Sequence, residues 1–348
     1  MKIAVDAMGG DYAPSAIIEG TAIALKDFPD IEVVLVGHLG KISFYLEKFG
    51  LNKDPRVTTV HAEEVVEMKE PSTIVLRGKR NSSMTVAAKL LRDKAVDGIM
   101  SVGHTGAAVA AANVIVKPLP GVDRAPLASV MPAIGGHFIL LDAGANTDCK
   151  ALHLAQFAVM GETYCRHILG VDNPSVGLLS IGEEDSKGNE LTKETFKLLS
   201  KMPINFAGNV EGNDLFVKTT DVVVCDGFVG NVLIKTCESL AGAINHWIKD
   251  VFTKNPVRKT GAILAKSAFK DLKAIADSEE YGGVPLLGLN GICIIGHGSS
   301  NPKAVRNAIR TCAESIRKRI NEKIMARIEE SGMTFKNIQS SETNQAGS

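Results

Sequence analysis

The chain has 348 residues, with 39 Lys and Arg against 39 Asp and Glu. This length allows one large α/β domain or two smaller ones, and the balanced charge excludes the basic footprint of a general nucleic-acid binder. Hydrophobic residues make up 45% of the chain, which excludes wholesale disorder. We expect neither a membrane span nor a secretory signal, because no segment reaches about 18 consecutive apolar residues and acid and glycine interrupt the N-terminal MKIAVDAMGGD.

One local pattern repeats along the chain: a short apolar run, a glycine-rich loop, and then a segment with helical periodicity. The apolar runs are 3–5, 31–36, 99–102, 137–141, 176–181, 221–225 and 291–295. Strands that alternate with helices indicate βαβ units, and near-continuous Val, Ile and Leu indicate strands covered on both faces. The pattern predicts a Rossmann-like three-layer α/β/α sandwich with a mainly parallel sheet. The loops after its strands then converge on one crevice at the carboxyl edge.

Three stretches depart from this pattern. Residues 118–132 form a proline-punctuated loop, and residues 246–281 are helical without a clear strand. We therefore expect a single α/β domain over 1–330 with a protruding helical segment at about 246–280. The polar residues 331–348 form a tail that we expect to be disordered.

The glycine-rich loops suit an anion, most simply a phosphate, because glycine lets backbone N–H groups approach a ligand and the following helix N-terminus favours negative charge. Any one of these loops is more simply explained as a tight turn, whereas several together strengthen the case for a ligand. The candidate substrate- and phosphate-binding residues are Asp6, Gly9, Gly10, Asp11, His104, Thr105, Gly106, Asp142, Asn146, Glu183, Asp226, Gly230, Gly298 and Ser299.

Other ligand signatures are absent from the sequence. The nearest dinucleotide fingerprint, at 296–301, lacks its third glycine, and there is no P-loop, HExxH, CxxC or EF-hand motif. We expect no cofactor and no metal. The six cysteines are best explained as small thiols in a reducing compartment, with a zinc site or a thiol nucleophile as the alternatives. Loop histidines such as His104 and His297 are more often bystanders than general bases.

Two loop residues each allow two interpretations. Lys187 stands among Glu183, Glu184 and Asp185, so it is either a solvated ion pair or an ammonium held ready for an anion. Asn231 follows DGFVG and is either a plain N-cap or a carboxamide that donates to a ligand oxygen.

Five longer motifs are unusual in composition: MKIAVDAMGGDYAP, GLLSIGEEDSKGNE, GNVEGND, DVVVCDGFVGNVLIKT and YGGVPLLGLNGICIIGHGSS. In order and spacing they resemble the bacterial phosphate acyltransferases of phospholipid synthesis, from residue 1 to about residue 325. The resemblance implies a fold of the isocitrate/isopropylmalate dehydrogenase type used without a nicotinamide. It also implies a homodimer that is cytoplasmic and works at the inner face of the membrane.

The activity implied by the resemblance is reversible transfer of an acyl group from acyl-carrier protein to inorganic phosphate, with the acyl phosphate passing to a membrane glycerol-3-phosphate acyltransferase. It implies Lys187 and Asn231 as the catalytic pair, and both positions match. The chain departs from the family at Tyr12, where His is usual, and at His104, where Asn is usual, so the roles of these two residues stay open. The Arg-Pro-Ala order is also changed, at 124–126.

Phosphate is largely ionised at neutral pH and a thiolate leaves readily, so we expect direct attack on the thioester without a covalent enzyme intermediate. The alternatives are a nicotinamide-dependent hydroxyacid dehydrogenase, an acetyl- or butyryl-CoA:phosphate transferase, and a non-catalytic phosphate-binding scaffold.

Because acyl-carrier protein is acidic, we expect a patch of basic residues where it docks. One candidate cluster is Arg77, Lys79 and Arg80. Another is the stretch 245–275, which has seven basic residues against two acids and an apolar stripe at Leu264, Ala268, Leu272 and Ile275. We expect 255–275 to form an exposed helical tip that touches lipid, the carrier or both. The alternative is a surface helix whose stripe lies in the core or the dimer interface.

Overall fold

The computed structural model describes residues 1–217, 220–275 and 282–332, and the side chains of 273–275 are not described. The predicted disordered tail therefore lies outside the described residues from 333 onwards, as does the end of the predicted helical segment at 276–280.

The first half of the chain alternates strands and helices in order. The elements are β1 (Lys2–Asp6), α1 (Ser15–Asp27), β2 (Glu32–Gly37), α2 (Leu39–Lys48), β3 (Val57–His61), α3 (Ile74–Arg77), α4 (Ser83–Arg92), β4 (Gly98–Ser101) and α5 (Thr105–Ala111). A π-helical turn, Ala112–Val116, extends α5.

The second half contains the longest helix of the described chain. Its elements are β5 (Ala128–Ala133), β6 (Gly136–Leu141), α6 (Ala151–Tyr164), β7 (Val176–Leu179), α7 (Glu190–Leu199), β8 (Phe206–Val210), β9 (Val222–Val224), α8 (Gly227–Thr253), α9 (Pro256–Leu264), α10 (Lys266–Ile275), β10 (Val284–Pro285), β11 (Ile292–Ile295), α11 (Pro302–Arg317) and α12 (Ile320–Glu330).

The predicted α/β class with mainly parallel strands is confirmed, but the strands divide into two sheets. The first has the order β10-β11-β4-β1-β2-β3 and the second β5-β6-β9-β7-β8. Only β10–β11 and β5–β6 pair antiparallel among these strands. An isolated antiparallel bridge between Leu127 and Leu286 joins the edges where β5 and β10 lie.

All seven predicted strands are present, and the prediction of an irregular 118–132 is wrong at its end. Residues 128–133 form β5, which among the described strands pairs only with β6. Pro132 is tolerated there because an edge strand has one side on which no backbone donor is required. The strands β3, β8 and β10 were also not predicted, since none of them is a continuous apolar run.

A shared cluster of buried side chains runs through both sheets, and two smaller clusters accompany it. The largest cluster of buried side chains includes Ile3 and Val5 of β1 together with Ile139 of β6 and Val176 of β7. The helix α6 lies inside it, and Leu154, Phe157 and Val159 are almost completely buried. These buried strands place the loops at their carboxyl ends with little freedom.

The helical segment after β9 is different, because α8 buries only Gly227 and Gly230. The stripe predicted at Leu264, Ala268, Leu272 and Ile275 is not on one helix. Leu264 is the last residue of α9, and the other three lie on α10.

A buried carboxylate fastens α12 to α6. The side chain of Glu162 is 2% exposed and forms ion pairs with Arg166 and with Arg327, whose Nε lies 3.1 Å from Glu162 Oε2. Arg327 also donates to the carbonyl oxygen of Pro203.

We predict that Glu162→Ala lowers the free energy of unfolding by roughly 2–4 kcal/mol, because two guanidinium groups lose their partner in a partly buried site. Urea denaturation measures the change. Glu330→Ala is the matched control, since Glu330 pairs with the same Arg327 at the surface, and it should change stability little. Equal effects of the two substitutions would contradict the prediction.

Candidate functional site

Asp6 braces the loops at the carboxyl edge of the first sheet. Its Oδ1 accepts hydrogen bonds from the backbone N–H groups of Met8 and Gly9, both at 3.1 Å. Its Oδ2 accepts from the Ser101 hydroxyl at 2.7 Å. The side chain is therefore committed to joining the loop after β1 to the end of β4, and contact between Asp6 and a substrate stays a prediction.

The glycines of three loops pack backbone against backbone at this edge. A Cβ on Gly9 would lie 2.8 Å from the Gly103 nitrogen. Gly10 has φ +95°, and a Cβ there would lie 3.0 Å from the Gly298 carbonyl oxygen. The Asp11 N–H donates to that same oxygen at 2.8 Å. The loops after β1, β4 and β11, three of those predicted to meet at one crevice, thus converge, and the close approach requires glycine.

His104 uses both ring nitrogens within the protein. Its Nδ1 accepts from the Ala107 N–H at 3.2 Å and so caps α5, and its Nε2 lies 3.0 Å from the carbonyl oxygen of Glu70. This geometry favours the bystander interpretation, with Thr105 and Gly106 in the first turn that His104 caps. Tyr12, the other residue that differs from the family pattern, lies beside this edge and is 59% exposed. The exposed hydroxyl of Ser299 hydrogen-bonds His297 Nδ1 at 2.8 Å.

Asp142 organises the loop after β6. Its carboxylate accepts five hydrogen bonds, from the N–H groups of Leu127, Gly144, Ala145 and Asn146 and from the Asn146 side chain, at 2.7–3.1 Å. Burial raises the pKa of Asp142, and the donated hydrogen bonds lower it in part. The Asn146 amide also donates to the Ala125 carbonyl oxygen. Both side chains are buried and act on the loop itself.

The loop 142–146 also connects the two sheets. Its Ala143 and Ala145 pack against the cluster that contains Ala107 and Ala108 of α5, which follows the first sheet. The carboxyl edges of the two sheets are therefore linked through this loop and α5.

The N-terminus of α8 packs on the other side of the same loop. Gly227 donates its N–H to the Asn146 carbonyl oxygen at 2.8 Å, and a Cβ on Gly230 would overlap the Asp142 carbonyl oxygen. The Asp226 carboxylate accepts from the N–H groups of Phe228 and Val229. The N–H groups of this first turn are thus all used, and an anion here would need a side-chain donor.

The N-cap interpretation of Asn231 is wrong, because the N-cap of α8 is Asp226. Asn231 is instead an exposed residue in the second turn. Its Cβ lies 3.2 Å from the place that a Cβ on Gly144 would take, and Gly144 has φ +132°. Its carboxamide makes no hydrogen bond within the described ranges, so it is available to a ligand beside the loop 142–146.

Lys187 is exposed on the loop after β7, as are Glu183 and Glu184. No ion pair joins Lys187 to another described residue, so the solvated ion pair is not what the structure contains. Its backbone N–H donates to the Glu184 carbonyl oxygen at 3.0 Å. A Cβ on Gly182 would lie 2.8 Å from Lys187 Cγ, so the glycine makes room for the lysine stem.

Lys187 and Asn231 lie on segments that begin at the same edge of the second sheet. The strand β7 pairs in parallel with β9, with Gly177 opposite Val223, and β9 pairs in parallel with β6. Neighbouring strands lie about 4.8 Å apart. The loop that carries Lys187 and the helix that carries Asn231 therefore start from adjacent strand ends.

The cysteines near this edge are neutral thiols. Burial, together with the nearby carboxylates of Asp142 and Asp226, raises the pKa of Cys149 to about 12. Burial also raises the pKa of Cys225 well above its ordinary value. Within the described ranges, no three metal-binding side chains come together.

The architecture is shared with solved structures of distant sequence. A phosphotransacetylase from Streptococcus pyogenes matches with a TM-score of 0.61 at 19% identity, over 91% of this chain and 94% of that one. The EutD phosphotransacetylase from Staphylococcus aureus matches with a TM-score of 0.59 at 19% identity, over 91% and 94%. The fold is thus the Rossmann-like α/β fold of these proteins.

Closer relatives define the family. The model of the family described as fatty acid synthesis protein matches residues 1–323, and the chain belongs to that family. A phosphate acyltransferase of Pelotomaculum thermopropionicum is 48% identical over 94% of this chain and 95% of its own length. One of Desulfitobacterium hafniense is 48% identical over 93% and 96%.

We predict that the rate at which iodoacetamide alkylates Cys149 keeps rising up to about pH 10 and reaches no plateau there. The reason is that the pKa of this thiol is raised to about 12, so most of it stays protonated below that pH. Alkylation rates measured by mass spectrometry across pH 7–10 check this. In the denatured chain the thiol of the same cysteine should have a pKa of about 8.5. A half-maximal rate near pH 8 in the folded protein would show an activated thiol.

Proposed function

We propose that this protein transfers the acyl group of an acyl-carrier protein to inorganic phosphate, reversibly, giving acyl phosphate and the free carrier for phospholipid synthesis. The observation that carries the proposal is a pair of groups on the segments that follow the adjacent strands β7 and β9: the ammonium of Lys187 and the carboxamide of Asn231, neither of which pairs with another described residue. The relatives named phosphate acyltransferase support the acceptor.

The reaction needs placement more than activation. Phosphate is already an anion and attacks the thioester carbonyl carbon, forming a C–O bond and a tetrahedral oxyanion. Collapse of the oxyanion breaks the C–S bond and releases the carrier's thiolate, which takes a proton from water. Holding both reactants in one site makes this step nearly unimolecular.

Lys187 and Asn231 supply the two electrostatic interactions. The ammonium of Lys187 holds the phosphate, and its exposure leaves room for an anion. The Asn231 Nδ2–H donates to phosphate or to the developing oxyanion. This donor is needed because the N–H groups in the first turn of α8 are already paired.

A direct transfer also fits the chemistry of the nearby thiols. Cys149 and Cys225 are held neutral by burial, and only the thiolate of a cysteine is an effective nucleophile. These two cysteines are therefore poor acyl acceptors, which supports direct transfer from carrier to phosphate.

A second candidate donor is a short acyl-CoA, since two solved proteins of the same fold are named phosphotransacetylases. Acyl phosphate trapped with hydroxylamine distinguishes the donors. Phosphate-dependent hydroxamate from a long-chain acyl-carrier protein supports the proposal, and hydroxamate from acetyl-CoA alone supports the second candidate. Absence of hydroxamate from both would reject acyl transfer to phosphate.

We predict that Lys187→Ala and Asn231→Ala each lower turnover in this assay on the order of 10²–10³-fold, the usual cost of losing one electrostatic donor. Circular dichroism should show unchanged folding, because both side chains are exposed. Lys193→Ala, an exposed lysine on the neighbouring α7, is the control and should keep its activity. Near-wild-type turnover of either test variant would remove that residue from the mechanism.

We propose that a second copy of the chain covers α8, giving the homodimer. Exposed apolar residues follow one face of this helix at spacings of four, three and four: Leu240, Ile244, Trp247 and Val251. Such spacing suits packing of two helices along a common stripe.

We propose further that α9 and α10 rest on the inner face of the cytoplasmic membrane, near the glycerol-3-phosphate acyltransferase that consumes the acyl phosphate. Val257, Ile263 and Leu264 are 82%, 72% and 81% exposed. Lys and Arg surround them, as at 258, 259 and 266. Apolar side chains among basic ones suit an anionic lipid surface. No described helix is long and apolar enough to cross a bilayer.

The other basic cluster suits a docking role less well. Lys79 is engaged by the Glu70 carboxylate at 2.7 Å and by the Val65 carbonyl oxygen at 2.6 Å. A carrier docking site therefore falls more readily on the α9–α10 region.

We predict that Leu264→Glu releases the protein from anionic phospholipid vesicles, because it puts a charge in place of an apolar contact. Sedimentation with vesicles measures binding, and circular dichroism should show an unchanged fold, because Leu264 is exposed. Phe44→Glu, at an exposed apolar residue on α2, is the control. Binding that survives the Leu264 substitution contradicts the lipid contact.

A further inference from the structure

The motif GNVEGND, at 208–214, has no part in the chemistry above. One of its two asparagines, Asn209, nevertheless contacts the loop that carries Lys187. Asn209 is on β8, opposite Leu178 of β7. It is 8% exposed, although asparagine is a residue that is usually at the surface. A buried carboxamide at the carboxyl end of a strand needs an explanation.

The Asn209 side chain ends in a contact with the loop. Its Nδ2 donates to the carbonyl oxygen of Glu184 at 2.8 Å. The same oxygen accepts the backbone N–H of Lys187 at 3.0 Å. One carbonyl oxygen therefore joins the buried amide to the turn on which Lys187 stands.

The donor half of the amide makes this contact. The Oδ1 of Asn209 is buried and has no hydrogen-bond partner among the described residues. A side chain that only satisfied itself in the core would pair both ends. The hydrogen bond to Glu184 is thus the polar interaction that this carboxamide contributes.

The other constraints on the loop act at its two ends. Ser180, directly after β7, donates its N–H to the Val210 carbonyl oxygen at 2.9 Å, and Asn189 caps α7 through the Thr192 N–H. The residues between them are mostly exposed. Asn209 holds the loop at its middle, three residues before Lys187.

We propose that Asn209 is a positioning residue for Lys187: its buried amide holds the Glu184 carbonyl, and through it the 184–187 turn, so that the ammonium meets the phosphate. This inference rests on the proposed function. Asn209 does not touch the reactants.

The test compares Asn209→Leu, which keeps the size of the side chain and removes the donor, with Asn209→Ala in case leucine disturbs folding. Asn205→Leu is the matched control. Asn205 precedes the same strand, and its Nδ2 donates to the Asn173 carbonyl oxygen at the opposite edge of the sheet. Turnover is measured in the hydroxylamine assay, and amide hydrogen exchange is measured over 181–189.

We expect both Asn209 variants to lose about 10- to 100-fold in kcat, the scale of a misplaced catalytic group, with the KM for the acyl donor unchanged. Exchange over 181–189 should quicken about tenfold as the turn opens more often. Asn205→Leu should change neither. In the Lys187→Ala background, Asn209→Leu should cost nothing more, because residues that act as a unit are non-additive.

Full turnover of the Asn209 variants, or a loss that persists undiminished in the Lys187→Ala background, overturns the inference. If the wild-type protein forms no acyl phosphate at all, the proposed function fails instead. The exchange measurement then still decides whether Asn209 holds the loop, since unchanged exchange in Asn209→Leu rejects that contact independently.

Discussion

The arrangement of the site depends on one buried carboxylate. Asp142 is completely buried and gathers five N–H donors from a span of chain that reaches from Leu127 to Asn146. The loop so formed contacts α5 on one side and receives the glycines of α8 on the other. The Asp142 carboxylate thus fixes the position of Asn231 relative to the first sheet.

The glycine-rich loops have a different physical role from the one that their composition suggests. Loops of this kind often present backbone N–H groups to an anion. Here many of those groups are paired within the protein, as at Gly9, Asp11 and Gly227. The glycines permit backbone segments to touch, and the donors that are left for a ligand are side chains. This division explains why two exposed side chains carry the proposed chemistry.

The distribution of charge differs between the loop that carries Lys187 and the helix α9. The chain is neutral overall, so local arrangement decides what it attracts. Lys187 has acidic neighbours in sequence and forms no ion pair with the described part of the chain, whereas the exposed apolar residues of α9 lie among several cations. The first arrangement suits a small anion and the second an extended anionic surface. A long helix, α8, joins the two, and its first turns hold Asn231.

The sequence by itself determined the α/β class, seven strands, and the two motifs with Lys187 and Asn231, because these follow from local periodicity and from runs of adjacent residues. The tertiary structure alone decided how the strands divide into two sheets and where they join, since the bridge from Leu127 to Leu286 connects residues far apart in the chain. It also decided that Asp226 caps α8 and that Asn209 supports the Lys187 turn. Such contacts depend on which strands lie side by side, and no pattern of neighbouring residues encodes a hydrogen bond from Asn209 to a carbonyl 25 positions away.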